Sequence, residues 1–183
     1  QINAQVRYTN DEPVNPVRIH RRTHRSPDFL KMMDMMAING DIVGRDDPDF
    51  GQERPYAGHY CIVTHENCED LAEEFIQWRR KSGYKIDVIV ANNPGSSNTT
   101  KNQIQNLYDS YLDRGEDPFD YILLIGDISR YDNGVGNAQW VLETYPGRSC
   151  WGSNINHADY VYACLEGGNN DQHPDVGIGR WAS

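Results

Sequence analysis

The residues best equipped for chemistry lie near the C-terminal end of the chain, in the stretch Tyr162–Trp181, YACLEGGNNDQHPDVGIGRW. It offers a thiol in Cys164, a glycine pair in Gly167 and Gly168, and oxygen donors in Asn169, Asn170, Asp171 and Asp175. Three chemistries could use such a set: thiolate attack on a carbonyl, cradling of a phosphate, or coordination of a hard cation. A cysteine nucleophile needs an activating histidine beside it. His65 and Cys68 are close in sequence but straddle a strand end and a helix start. Cys164 sits in an apolar, strand-like run, where cysteine usually packs as a small hydrophobe, and that reading is preferred to the nucleophile. A phosphate cradle needs a glycine-rich turn leading into a helix N-terminus. EGGNND is not followed by a helix, and the turns HEN and NNPGSSN lack the nucleotide-binding spacings, so nucleotide binding is set aside. A cation turn needs several oxygens converging from a short loop. The spacing here is not that of an EF-hand, and a polar hairpin loop closed by Asx turns uses the same residues; both readings stand.

The elements that must position this stretch are regular from residue 57 onward. HYCIVTH (59–65) reads as a strand. Asn67 is the expected cap of a helix to Lys81, with Glu69 and Asp70 in its first turn and Arg79, Arg80 and Lys81 in its last. Leu71, Phe75 and Trp78 mark its buried stripe, and Gly83 ends it. KIDVIVA (85–91) is a second strand. Thr100 and Gln103 form a capping box for a second helix that buries Ile104, Leu107, Tyr108 and Tyr111 and stops near Gly115. FDYILLIGD (119–127) has the continuous apolar run of a strand covered on both faces. AQWVLETY, DYVYACLE and PDVGIGRW are three further strand-like runs. The β-α-β-α-β order predicts an α/β fold, a parallel sheet with helices on both faces.

In such a sheet ligands bind beyond the carboxyl ends of the strands. Those ends carry His65, Asn92–Asn93 and Gly126–Asp127. The Asp127 carboxylate is placed either to orient a catalytic group or cation, or to accept hydrogen bonds from nearby loop amides.

Residues 1–40 read differently. VRYTN and PVRIH are short strands broken by prolines, and FLKMMDMMAIN (29–39) has a roughly helical apolar face. Residues 41–56 are a Gly/Pro/Asp-rich linker, in which Arg45 is the better site for a trypsin-like cut because Arg54 precedes a proline. The chain starts at Gln1 and closes soon after a strand-like run, and it is expected to be a piece of a longer polypeptide.

The net charge of −10 is uneven: residues 1–56 carry 8 Lys/Arg and 9 Asp/Glu, and residues 57–183 carry 9 and 18. An acidic surface of this kind repels nucleic acid and anionic membranes. No run approaches the roughly 18 apolar residues of a membrane span. The four cysteines, Cys61, Cys68, Cys150 and Cys164, form no CxxC pair, which argues against a zinc site.

Three segments, taken in order, resemble the N-terminal subdomain of the gingipain-type cysteine peptidases over about residues 57–183. They are IVTHENCEDLAEEFIQWRRKSGYKIDVI, FDYILLIGD and HADYVYACLEGGNNDQHPDVGIGRW with its Pro-Asp-Val-x-Ile-Gly-Arg. The resemblance implies a caspase-like catalytic domain of two subdomains, a secreted or cell-surface protein of a Bacteroidetes-type bacterium, and a zymogen. Residues 1–40 would then be the end of a prodomain or upstream β domain, cut near Arg45. It implies structural calcium, with Asn170, Asp171 and Asp175 as ligands, and a protein or peptide substrate. In the family the catalytic His, in a His-Gly string, and the catalytic Cys follow the Gly-Arg strand. This chain has no His-Gly, and Cys164 precedes that strand. The dyad is therefore expected in a second subdomain or companion chain, the piece alone is expected to be inactive, and Asp127 and Asp159 are left as supporting candidates. The alternatives are a non-catalytic caspase-like scaffold serving secretion or adhesion, and a sortase-like transpeptidase of the type IX system.

Overall fold

The computed structural model describes residues 35–36, 55–92, 94–128, 140–147, 156–167 and 171–181. The strands expected at VRYTN and PVRIH, most of the 29–39 segment, Arg45 and nearly all of the 41–56 linker, Asn93, Cys150, Asn169 and Asn170 lie outside them. Of the 29–39 segment, Met35 and Met36 are helical and exposed.

Four strands form a parallel sheet: β1 (His59–Thr64), β2 (Lys85–Val90), β3 (Tyr121–Ile125) and, after two short strands, β6 (Gly177–Trp181). Their order is β2-β1-β3-β6, with Ile62 of β1 opposite Val88 on one side and Leu123 on the other. The short strands β4 (Tyr145–Gly147) and β5 (Asn156–Ala158) pair antiparallel as a separate ribbon. Helix α1 (Glu69–Lys81) and helix α2 (Ser97–Asp113) connect the first three strands.

Period-two alternation assigns each strand residue to a face. Ile62, Ile86 and Ile125 pack with Ala72 and Ile76 of α1. Cys61, Val63, Ile122 and Leu124 pack with Ile104 and Tyr108 of α2. The helices therefore cover opposite faces, and the α2 face also receives Leu142, Tyr162, Leu165 and Val176 from the long connection before β6.

Several local expectations are corrected. The buried stripe of α1 is not Leu71–Phe75–Trp78. Leu71 and Trp78 are 53% and 56% exposed, while Ala72 and Ile76 are buried. The helix is rotated so that its small and β-branched residues meet the sheet, and Phe75 and Trp78 lie at its flank around the Arg79 guanidinium, which sits 4.6 Å from the Trp78 ring centre. Asn67 is not the cap. A 3-10 turn (Glu66–Cys68) precedes α1, and His65 caps it through Nδ1, which accepts the Asn67 N–H at 3.0 Å. At α2 the cap is Ser96, whose Oγ accepts from the Thr99 N–H. Thr100 is buried inside the helix. Gln103 reaches back to the end of β2, its Oε1 accepting from the Asn92 N–H at 3.0 Å and its Nε2 donating to the Val90 carbonyl.

DYVYACLE is not a strand. Tyr160–Ala163 is a 3-10 turn, and Tyr162, Ala163, Cys164 and Leu165 are buried consecutively. An unbroken apolar run cannot be told from buried irregular structure by periodicity, and here it plugs the α2 face. AQWVLETY supplies an isolated parallel bridge, Asp127 to Val141, before β4 begins at Tyr145.

At the amino-terminal edge of the sheet His59 is fully buried, and its Nε2–H donates to Asp87 Oδ2 at 2.7 Å. The Tyr111 hydroxyl donates to the same oxygen at 2.7 Å. Burial works against the Asp87 carboxylate, but these two hydrogen bonds and the charges of His59 and Lys85 hold its pKa below the ordinary value.

Candidate functional site at the carboxyl ends of the strands

The carboxyl ends of β1, β3 and β6 converge through backbone bonds. The His65 N–H donates to the Ile125 carbonyl at 3.2 Å, and the Gly126 N–H donates to the Trp181 carbonyl at 3.2 Å. Gly126 has φ +152, and a side chain there would meet Leu142 Cβ at 2.9 Å and the Trp140 carbonyl at 3.0 Å. Both its backbone angle and its surroundings thus require glycine. This close approach lets residues 140–142 cross over the end of the central strand, with Asp127 N–H donating to the Trp140 carbonyl and Leu142 N–H to the Asp127 carbonyl.

Asp127 itself turns back on the chain: its Oδ1 accepts the Ile128 N–H at 2.8 Å. Its observed contact is a hydrogen bond from a neighbouring backbone amide. Asp159 is placed differently. It receives Arg180 at two points, Nε to Oδ2 at 2.8 Å and Nη2 to Oδ1 at 2.7 Å. Arg180 Nη1 also donates to the Gly126 and Leu142 carbonyls, at 3.0 and 2.8 Å. One guanidinium therefore joins the last strand, the end of the central strand, the 140–142 crossing and the start of the 3-10 turn. Planar forked donors suit this task. Arg180 was not among the candidates read from the sequence, although it ends the Gly-Arg motif; its side chain faces inward because residues 178 and 180 share the covered face of β6.

The described thiols are not poised for attack. Cys61, Cys68 and Cys164 are buried and free of disulfides. Burial pushes each thiol pKa up, and the Asp171 charge adds to this at Cys164. Cys164 Sγ donates to the Tyr160 carbonyl at 3.4 Å. Among the described residues no cysteine side chain is hydrogen-bonded to a histidine. Cys164 is thus core packing, set just after a 3-10 turn and not within a strand.

Asp171 and Asp175 hold their own loop. Asp175 Oδ2 accepts the N–H groups of Leu165 and Glu166, at 2.6 and 2.9 Å. Asp171 accepts from Gly167 N–H at 3.1 Å and from His173 N–H at 2.9 Å. Gly167 lies so close that an added Cβ would stand 2.4 Å from Asp171 Cγ. The Asp171–His173 contact is the Asx-type turn of a polar loop, and the bonds to Leu165, Glu166 and Gly167 tie the loop back to the segment before it. Calcium takes 6–8 converging oxygens. Among the described residues no group of three or more His, Cys, Asp or Glu side chains is placed to hold a metal. Asp175 Oδ2 and both carboxylate oxygens of Asp171 are thus engaged by backbone N–H groups.

An open groove of about 640 Å³ lies on the α1 side of β3 and β6, lined by Tyr60, Phe75, Arg79, Tyr121 and Trp181 among others. Its lining is mainly aromatic and aliphatic, with the Arg79 guanidinium and the Tyr60 and Tyr121 side chains as its polar groups. No helix among the described residues is long and apolar enough to cross a membrane.

The family model of Peptidase family C25 matches residues 53–182. A search of curated proteins finds no match. A solved structure described as "Structure of Protease" aligns with a TM-score of 0.52 at 16% sequence identity, over 72% of this chain and 25% of that one. The alignment shows that the two proteins share the fold of the four-stranded parallel α/β sheet, and the chain spans about a quarter of that protein's length.

Proposed function

Since the chain belongs to peptidase family C25, and is a cysteine-peptidase-related domain, we propose that it forms the N-terminal part of a secreted cysteine endopeptidase whose Cys-His dyad lies on a segment beyond the Gly-Arg strand. The observation that carries this reading is the family match joined to the state of the described thiols, which are buried, raised in pKa and not bonded to a histidine. A thiolate nucleophile needs the opposite environment. In the complete enzyme the thiolate would attack the peptide carbonyl, form an acyl-enzyme and release the amine with a proton from the histidine; water would then free the acid and restore the thiol.

The described residues would contribute position, not chemistry. Arg180 and Asp159 fix the end of β3 against the 140–142 crossing, and a rigid support of this kind maintains catalytic geometry. Secretion and activation by a cut near Arg45 belong to the same proposal.

The test is labelling of the full-length protein with a thiol-directed peptide inhibitor, followed by mapping of the modified residue. Modification is expected at a cysteine C-terminal to Ser183, with Cys61, Cys68 and Cys164 unmodified. Labelling at Cys164, or a full-length protein with no His-Gly and no cysteine after residue 183, overturns the reading and leaves a non-catalytic scaffold. Product analysis with an added amine would identify a transpeptidase instead.

A further inference from the structure

The segment from Tyr162 to Leu165 lies outside any sheet, so its buried carbonyls need donors from elsewhere. The Asp175 N–H meets the Ala163 carbonyl at 2.9 Å, and helix α2 supplies donors to the other three. Lys101 Nζ donates to the Cys164 carbonyl at 2.6 Å and to the Tyr162 carbonyl at 3.4 Å. One turn later Gln105 Nε2 donates to the Leu165 carbonyl at 2.9 Å. The amides are met from the other side: those of Leu165 and Glu166 by Asp175, and that of Gly167 by Asp171.

Lys101 is half-buried. Burial draws its pKa below the ordinary lysine value, while the carboxylate charges of Asp175, Asp171 and Asp109 act to keep the ammonium. It is therefore a cation set among carbonyl oxygens and close to the two carboxylates expected to ligate calcium. A calcium ion brought to the carboxylates of Asp171 and Asp175 would face both the nearby ammonium charge and the loss of their hydrogen bonds from backbone N–H groups.

We propose that the Lys101 ammonium is the resident cation of this segment, held on the Tyr162 and Cys164 carbonyls, so that the segment is ordered without a divalent ion. The inference is independent of the peptidase reading, since it concerns the order of the loop and not catalysis.

Hydrogen exchange of the full-length protein tests it locally, in peptides covering residues 161–167, with calcium chloride or with the chelator EGTA. The wild type is expected to exchange equally in both. Lys101→Met is expected to speed exchange of these amides by about tenfold or more, with or without calcium. A wild type whose exchange slows severalfold in calcium, an effect removed by Asp171→Asn, overturns the proposal. So does a Lys101→Met protein with unchanged exchange. Should that variant fail to fold, competitive acetylation of the native wild type decides: Lys101 is expected to react at least about tenfold more slowly than the exposed Lys81, and equal rates overturn the proposal.

Discussion

Asp159 and Arg180 meet in a two-point ion pair, 2.7 and 2.8 Å, with side chains 26% and 11% exposed. The pair sits between water and core, so neither the near-zero worth of a surface bridge nor the large cost of breaking a fully buried one applies. Its structural weight comes from the third guanidinium nitrogen, which reaches the Gly126 and Leu142 carbonyls. Asp159 holds the guanidinium in the plane those bonds need.

Asp159→Ala is accordingly expected to lower stability by about 1–3 kcal/mol, the cost of leaving a hydrogen-bonded charge without its partner. Arg180→Lys should cost a similar amount, because one ammonium cannot serve three sites in a fork. Urea denaturation gives the measurement. A midpoint shifted equally by Arg180→Lys and by a surface Arg→Lys control such as Arg80→Lys would show that the fork has no special role.

The sheet and its two helices were legible because strand and helix periods are written in the sequence: YILLI and KIDVIV are bounded by turn residues, and Gly83 and Gly115 take positive φ at the helix ends. What was not legible was the rotation of α1. Its aromatic residues suggested a stripe, but aromatics can equally flank a cationic side chain, and Arg79 draws Phe75 and Trp78 to the helix edge. Likewise the carbonyls of the buried Tyr162–Leu165 run are met by a lysine and a glutamine some sixty residues earlier, a pairing that no local pattern contains. The Arg180–Asp159 contact, 21 residues apart, was hidden in the same way.

The rotation of α1 makes a direct prediction. Ile76→Ala removes a side chain only 3% exposed and should cost about 2–4 kcal/mol. Leu71→Ala, at a site 53% exposed, should cost under about 1 kcal/mol. Equal losses in thermal unfolding, or a larger loss for Leu71→Ala, would restore the stripe first inferred from spacing.

A final prediction concerns pH. The Asp87 pKa is held below its ordinary value of 3.8, since burial is outweighed by hydrogen bonds from His59 and Tyr111 and by the charges of His59 and Lys85. A carboxyl whose folded pKa is depressed contributes stability that is present above the unfolded pKa and is lost as pH falls through the folded one. Asp175 works in the opposite sense: burial raises its pKa despite two backbone hydrogen bonds, so its protonation on acidification favours the folded chain. The Asp87 contribution can be isolated by replacing that residue alone. Asp87→Asn keeps the size and one acceptor but loses the charge, so it should be less stable than wild type by about 1–3 kcal/mol at pH 7. The gap should narrow below about pH 4, as the wild-type carboxylate is itself protonated. Denaturation midpoints from pH 7 to pH 3 measure it, and a gap that stays constant over that range would mean that Asp87 acts through shape and not through charge.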